Sequence, residues 1–145
     1  MSNFHSTFID NIDVEKLSLS SFQKIFERKN ENDDVAGNGG SFQYFFDDGK
    51  IASLLVLHHR SLGYLLNYDL YDRDRKKVLK DVFSVGSSEK MDLVEDIGDE
   101  EFYPIGAFIS LEDAWKAVED FINHPSKRSS KINWISSDEI SWPDQ

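Results

Sequence analysis

Four histidines are the first residues to consider for chemistry, because histidine is the side chain that most often acts as a general base near neutral pH. They are His5, His58, His59 and His124. His58 and His59 are adjacent at the end of an apolar segment, and neighbouring side chains of a strand point to opposite faces, so this pair is poorly placed to share a metal ion. The His-Glu-x-x-His spacing of zinc enzymes is also absent. We therefore expect turn or surface histidines, with no metal site.

Carboxylates are the second candidates, since 27 of the 145 residues are Asp or Glu. Pairs such as Asp33-Asp34 and Asp47-Asp48 lie in segments typical of turns, where Asp bonds to its own backbone. The chain has no Cys for a thiolate, and it lacks both the P-loop ending and the Ser nucleophile elbow. We expect no catalytic residue and no cofactor, with a carboxylate-dependent hydrolase left open because paired carboxylates need a cleft that sequence does not reveal.

The charge balance favours a protein partner over other ligands. With 16 basic residues the net charge is −11, which repels nucleic acid and anionic membranes and attracts basic proteins; maintaining solubility is the alternative role. The longest apolar run, Ile51–Leu57, is far shorter than the about 20 residues of a membrane span, and no signal peptide is visible. A cytoplasmic location is therefore expected.

An acidic segment is the leading candidate for the binding surface. Glu89–Glu101 contains seven acidic residues and one Lys, and it is followed by Phe102 and Tyr103. Acidic groups around exposed aromatic rings suit the docking of a basic protein, although a solvated loop would have the same composition. Asp69, on the polar face of a strand, and Trp142, in the tail, are added as possible contributors. The expected partner-binding residues are Asp92, Glu95, Asp96, Asp99, Glu100, Glu101, Tyr103, Asp69 and Trp142.

Two basic stretches, Arg73–Lys80 and Lys127–Lys131, stand out in this acidic chain. We expect them to balance nearby acids, and anion binding is the alternative.

Hydrophobic spacing predicts helices over Ser18–Lys29 and from the capping residue Ser110 to just before Pro125. Asp72–Lys80 is expected to be a hairpin end or a loop, and Ser87–Glu101 a loop or short helix. The expected strands are Ser41–Phe46, Ile51–Leu57, Tyr64–Tyr71, Val82–Val85, Tyr103–Ile109 and Ile132–Ile135, of which Ile51–Leu57 should be central and covered on both faces. This order predicts an α+β fold: a largely antiparallel sheet with two main helices packed on it, in a single domain over 1–145 with a polar tail at 136–145.

The segment GAFISLEDAWKAVEDFINHPSKRSSKINW resembles the closing signature of bacterial immunity proteins of the Imm-one type. In that signature a strand leads to an Ala-containing helix ending in an aromatic residue, followed by a turn and a hydrophobic-x-Trp strand. The matching positions are Ala114, Ala117, Phe121, Pro125, Ile132 and Trp134. The likeness extends over about 100 residues, from Ser41 to Ile135. The turn at His124–Lys127 departs from the usual Gly-containing one, and the acidic tail is an addition.

The resemblance implies a function. Such proteins bind and neutralise the C-terminal toxin domain of polymorphic or contact-dependent growth inhibition systems, often a nuclease or a nucleic-acid deaminase, and they are not enzymes. A one-to-one cytoplasmic complex is then expected, in which the acidic surface steers the inhibitor towards a basic toxin. A regulatory adaptor of the SMI-type class is the alternative protein-binding role.

Overall fold

The dominant element is an antiparallel sheet, seen in a computed structural model that describes residues 4–6, 14–24, 39–59, 61–96 and 102–140. Six strands follow one another in the order β1-β2-β3-β4-β5-β9, β8 joins the side of β4, and β6 pairs with β7 in a separate hairpin. The strands are β1 Phe4–Ser6, β2 Gly39–Phe45, β3 Lys50–His59, β4 Gly63–Asp72, β5 Lys77–Val85, β6 Val94–Asp96, β7 Phe102–Pro104, β8 Phe108–Ile109 and β9 Asn133–Ser136. The predicted α+β class is confirmed.

Strands β2 to β5 form a meander in which each strand pairs antiparallel with the next. Gly49 closes the β2–β3 turn with φ of 93°, a conformation that favours glycine. At the β4–β5 turn, a carboxylate oxygen of Asp72 accepts from the amides of Asp74 and Arg75 at 3.0 and 3.3 Å. Of the two expectations for residues 72–80, the hairpin end is therefore the one found.

One face of the sheet is covered by helices. Helix α2, Leu111–Asn123, begins where the Ser110 hydroxyl accepts from the amide of Asp113 at 3.2 Å, and its apolar stripe buries Ala114, Val118 and Phe121. The described helical residues 19–24, α1, place Phe22 against the rings of Tyr64 and Trp115 in the same core. The strand residues in this main core are Phe42, Ala52, Leu54, Val56, Tyr64, Leu66, Tyr68, Val82 and Ile109.

The opposite face is covered at one end by a second, smaller cluster. Leu65 and Phe83 of the sheet pack there with Met91, Ala107 and Phe108, and with Ile140 after β9. Pairing of β4 with β5 runs from Asp72 to Asn67, and pairing with β8 takes over at Leu65. The buried Ser84 hydroxyl fills this junction: it accepts from the Leu66 amide at 3.0 Å and donates to the Ala107 carbonyl at 2.6 Å.

Several predicted boundaries were wrong. The expected strand at 82–85 is nine residues long, since the basic residues before it continue the hairpin. The segment 87–101 was expected to be a loop or short helix. Its described part, 87–96, contains a 3₁₀ turn and strand β6, and 97–101 lie outside the described residues. The expected strand at 103–109 is split by a 3₁₀ turn at Ile105–Ala107, which lets β7 pair with β6 and β8 with β4. Strand β1 was not predicted.

The coverage expected for β3 was correct for only one of its faces. The strand is central, between β2 and β4, but its side chains alternate between buried and half-buried. Ala52, Leu54 and Val56 face the helices, whereas Ile51, Ser53 and Leu55 are half-buried on the other side. None of the helices in the described ranges is long and apolar enough to cross a bilayer.

Candidate protein-binding face

A line of polar residues crosses the face of the sheet that lies opposite the helices. His5 pairs with Gln43, Gln43 with Ser53, Ser53 with Asp69, and Asp69 with Asp81, each pair directly opposed in adjacent antiparallel strands. Directly opposed side chains share a face of a sheet. Gln43, Ser53, Asp69 and Asp81, called here the polar row, are all half-buried.

Apolar side chains border the polar row on both sides. Phe45, Ile51 and Tyr71 are in register with one another along one side, and Leu55 lies on the other. All four are half-buried. The face therefore combines apolar contact area with a few polar groups, which is the composition found at the centre of protein interfaces.

The two carboxylates of the row have different surroundings. Asn67 donates from Nδ2 to Oδ1 of Asp81 at 2.7 Å and to the Val82 carbonyl at 3.0 Å, so Asp81 is held in place. Burial of the Asp69 carboxyl, and secondarily the negative charge of Asp81, raise the pKa of Asp69 to about 6. A cation from a partner would relieve the repulsion between these two carboxylates.

The β6–β7 hairpin borders the same face. The ring of Tyr103 in β7 lies 6.4 Å from the ring of Phe83, and Phe83 is the register partner of Asn67. The hairpin pairs Glu95 with Tyr103 and Asp96 with Phe102, whose side chain is 42% exposed. Tyr103 thus brings strand β7 next to the neighbours of the polar row.

The nine residues expected to bind a partner fall into three groups. Asp69 lies in the polar row, and Tyr103 is half-buried against Phe83. Asp92 is exposed in the turn before β6, and Glu95 and Asp96 lie within β6. Asp99, Glu100, Glu101 and Trp142 lie outside the described residues.

Sequence reasoning missed Asp81, Gln43 and Ser53. Asp81 was treated as part of the boundary between a basic stretch and a short strand, although Asp81, Phe83 and Val85 alternate with Val82 and Ser84 as a strand does. Placing it opposite Asp69 requires the register of the β4–β5 hairpin, and that register shifts between Leu70 and Tyr71. Such an irregularity has no reliable sequence signal.

Two of the four histidines, His58 and His59, have local roles at the end of β3. Nδ1 of His59 accepts from the amides of Ser61 and Leu62 at 3.1 and 3.2 Å. The ring of His58 lies 4.6 Å from that of Tyr64 at a tilt of 44°. Burial, and secondarily the charge of His59, lowers the pKa of His58. Within the described ranges, no three His, Asp or Glu side chains are grouped to hold a metal ion.

Comparison of the chain with models of known families, with curated proteins and with solved structures finds no match in any of the three.

Proposed function

We propose that this chain is an immunity protein, which binds and neutralises a basic toxin domain through the polar row and its apolar border. The observation that carries the proposal is the register pair Asp69–Asp81, two half-buried carboxylates directly opposed on a sheet face that the main core does not use. Like charges placed opposite each other destabilise a sheet. A basic partner would relieve the repulsion between the two carboxylates on contact, and the free energy gained would contribute to binding.

Two further observations support a protein partner. The apolar border supplies residues that a partner can desolvate, and a few such anchors account for most of the affinity of an interface. The net charge of −11 supplies long-range attraction towards a basic surface. The resemblance of Gly106–Trp134 to Imm-one-type immunity proteins supplies the expected class of partner: the toxin domain encoded beside the chain.

The decisive experiment combines co-expression with binding kinetics. The C-terminal domain of the toxin encoded next to this chain should stop growth when produced alone and should be tolerated when the chain is produced with it. The purified pair should form a one-to-one complex whose association rate falls with added salt.

A double variant, Asp69→Asn with Asp81→Asn, should weaken that complex at least tenfold, mainly through faster dissociation, because half-buried charges are paired there. The matched control neutralises two exposed carboxylates of α2, Glu112→Gln with Glu119→Gln, and should bind as the wild type does. Equal affinity of both double variants would remove the polar row from the interface. Failure of the wild-type chain to protect cells or bind the toxin would overturn the function itself.

The same carboxylate pair favours one alternative, a carboxylate-dependent hydrolase. An acid with a raised pKa close to a second carboxyl group is an arrangement used for general acid–base catalysis. Three results together would favour this alternative over toxin binding. The purified chain would hydrolyse a glycoside or an ester, and each single Asn variant would lose that activity. The pH profile of the activity would have an inflection near the pKa of Asp69.

A further inference from the structure

A cavity of about 500 Å³ lies on the helix-covered side of the sheet, away from the polar row. It is bounded by β4, β5 and the loop that connects α2 to β9. Lys80 comes from the first basic stretch of the sequence, whereas Lys127 and Arg128 come from the second, and all three line the cavity. The fold thus brings together cations that are almost 50 residues apart in the chain.

Among the described residues, these three cations form no salt bridge. The expectation that the basic stretches balance nearby acids holds for Arg75, which pairs with Asp72 at 3.8 Å, and for Lys131, which pairs with Asp120 at 3.1 Å. Across the described ranges, no carboxylate lies within salt-bridge distance of Lys80, Lys127 or Arg128. Three positive charges around one cavity, in a chain of net charge −11, make it a favourable place for an anion.

The walls of the cavity are fixed before any ligand binds. Tyr68 donates its hydroxyl to the Pro125 carbonyl at 2.9 Å, and Trp134 donates Nε1 to the Ser129 carbonyl at 2.7 Å. The buried hydroxyl of Ser129 donates to Oδ2 of Asp120 at 2.6 Å and accepts from the amide of Lys131 at 3.1 Å. Because the loop is tied to the sheet and to α2, it has little conformational freedom left to lose on binding.

The remaining lining is aromatic and aliphatic. Trp134 is half-buried and forms part of the wall together with Leu70 and Ile132. Rings stack on Trp and cations bind phosphate, so the two halves of the cavity suit the two halves of one molecule. The volume lies within the about 300–1,000 Å³ of small-molecule sites.

We propose that this cavity binds a phosphorylated small molecule that carries a flat ring, of the nucleoside-diphosphate class. Lys80, Lys127 and Arg128 hold the phosphate groups, and the ring lies against Trp134, Leu70 and Ile132. The overall negative charge disfavours a nucleic-acid chain, whose many phosphates would extend over acidic surface. The site is separate from the polar row, so the tests of ADP binding and of toxin binding are independent of each other.

Calorimetric titration of the full chain with ADP and with pyrophosphate tests the proposal. ADP should bind saturably and more tightly than pyrophosphate, because only ADP uses the aromatic wall. Arg128→Gln and Lys80→Gln should each weaken ADP binding about tenfold, the loss expected for one charge-assisted contact. Lys90→Gln, an exposed lysine outside the cavity, should leave ADP binding unchanged.

Tryptophan fluorescence supplies an independent reading, since ADP should quench the emission of the wild type and of Trp115→Phe but not that of Trp134→Phe. Circular dichroism checks that each variant is folded. The site would be overturned if ADP did not bind saturably at millimolar concentration. It would also be overturned if Lys90→Gln weakened ADP binding as much as Lys80→Gln and Arg128→Gln do. Pyrophosphate binding as tightly as ADP, or a single-stranded DNA 10-mer binding more tightly, would overturn the assigned class of ligand.

Discussion

Asp69 and Asp81 lie directly opposite each other in β4 and β5, on the side of the sheet that faces away from the helices. Side chains in this relation have Cβ atoms about 4.5–5.5 Å apart, close enough for two carboxylates to repel each other. Asn67 bonds to Asp81. Burial of the Asp69 carboxyl and, secondarily, the negative charge of Asp81 raise the pKa of Asp69. A position that costs stability is a reasonable place to look for function.

The first prediction concerns Asp69→Asn and pH. The folded chain holds the Asp69 proton more tightly than the unfolded chain, with a pKa of about 6 against 3.8, so the free energy of unfolding falls as pH rises through this window. The Asn variant lacks this fall and should be more stable than the wild type at neutral pH by about 1 kcal/mol after allowance for solvent screening. The gain should vanish near ~pH 4.

Urea unfolding of wild type and variant at both pH values measures this difference. Asp92→Asn removes an exposed carboxylate and should change the free energy of unfolding by less than about 0.5 kcal/mol. A variant less stable than the wild type at neutral pH would mean that Asp69 is stabilised by contacts other than those seen. Under the proposed function, Asp69→Asn also weakens toxin binding, so stability and affinity should change in opposite directions.

The second prediction concerns the acidic segment. Reversing Asp96, Asp99, Glu100 and Glu101 to Lys should slow toxin association while the fold is retained, because local charge steers the encounter. Stopped-flow measurements at several salt concentrations give the association rate. The control reverses four acids elsewhere to the same net charge: Asp74, Glu112, Glu119 and Asp138. If the association rate falls equally in both variants, the overall charge of the chain, and not this segment, steers the encounter.

The third prediction concerns the Ser84 hydroxyl at the junction of β4, β5 and β8. Ser84→Ala leaves the Leu66 amide and the Ala107 carbonyl without this partner in a buried site, and it should lower the free energy of unfolding by about 1–3 kcal/mol. Ser61→Ala, in an exposed turn, should have little effect. Denaturant unfolding compares the two, and equal stability would show that water or a backbone shift replaces the hydroxyl.

The fourth prediction concerns Tyr68→Phe, which removes the bond to the Pro125 carbonyl. A loss of about 1 kcal/mol is expected. Burial raises the pKa of Tyr68 to about 12, so the wild type should lose stability as pH rises from about 10 to 12, because only the unfolded chain ionises readily there. The Phe variant should lack this particular loss. Tyr71→Phe, on the other face of the sheet, is the control in unfolding experiments at neutral and alkaline pH.

Local patterns predicted much of this fold because the relevant signals are short-range. The stripe of α2, its Ser110 cap and the turn at Asp47-Asp48 act within a few residues and were correctly interpreted. The splitting of 103–109 was missed because it depends on β8 filling the side of β4, a contact distant in sequence. The apolar run of β3 suggested two covered faces, yet the structure covers one and leaves the other half-buried.

The candidate site was less predictable for the same physical reason. Asp69 could be identified from alternation along one strand, but its relation to Asp81 depends on a hairpin with an irregular register. Likewise, Lys80 and Arg128 become neighbours of one cavity only when the loop after α2 docks on β4 through Tyr68. Sequence reveals the composition of such sites; their assembly requires pairing information from the whole sheet.

The outer edge of β5 has a consequence for self-association. Strand β9 pairs with Val82–Val85, and among the described residues no strand pairs with the outer edge of 77–81. Val78 is 55% exposed there, which would invite a second chain to add a strand. Lys77 and Lys80, also exposed, oppose that addition by charge repulsion between copies. The charge of Lys80 thereby disfavours aggregation through this edge. Variants that lack it should be kept at low concentration, so that the chains do not associate.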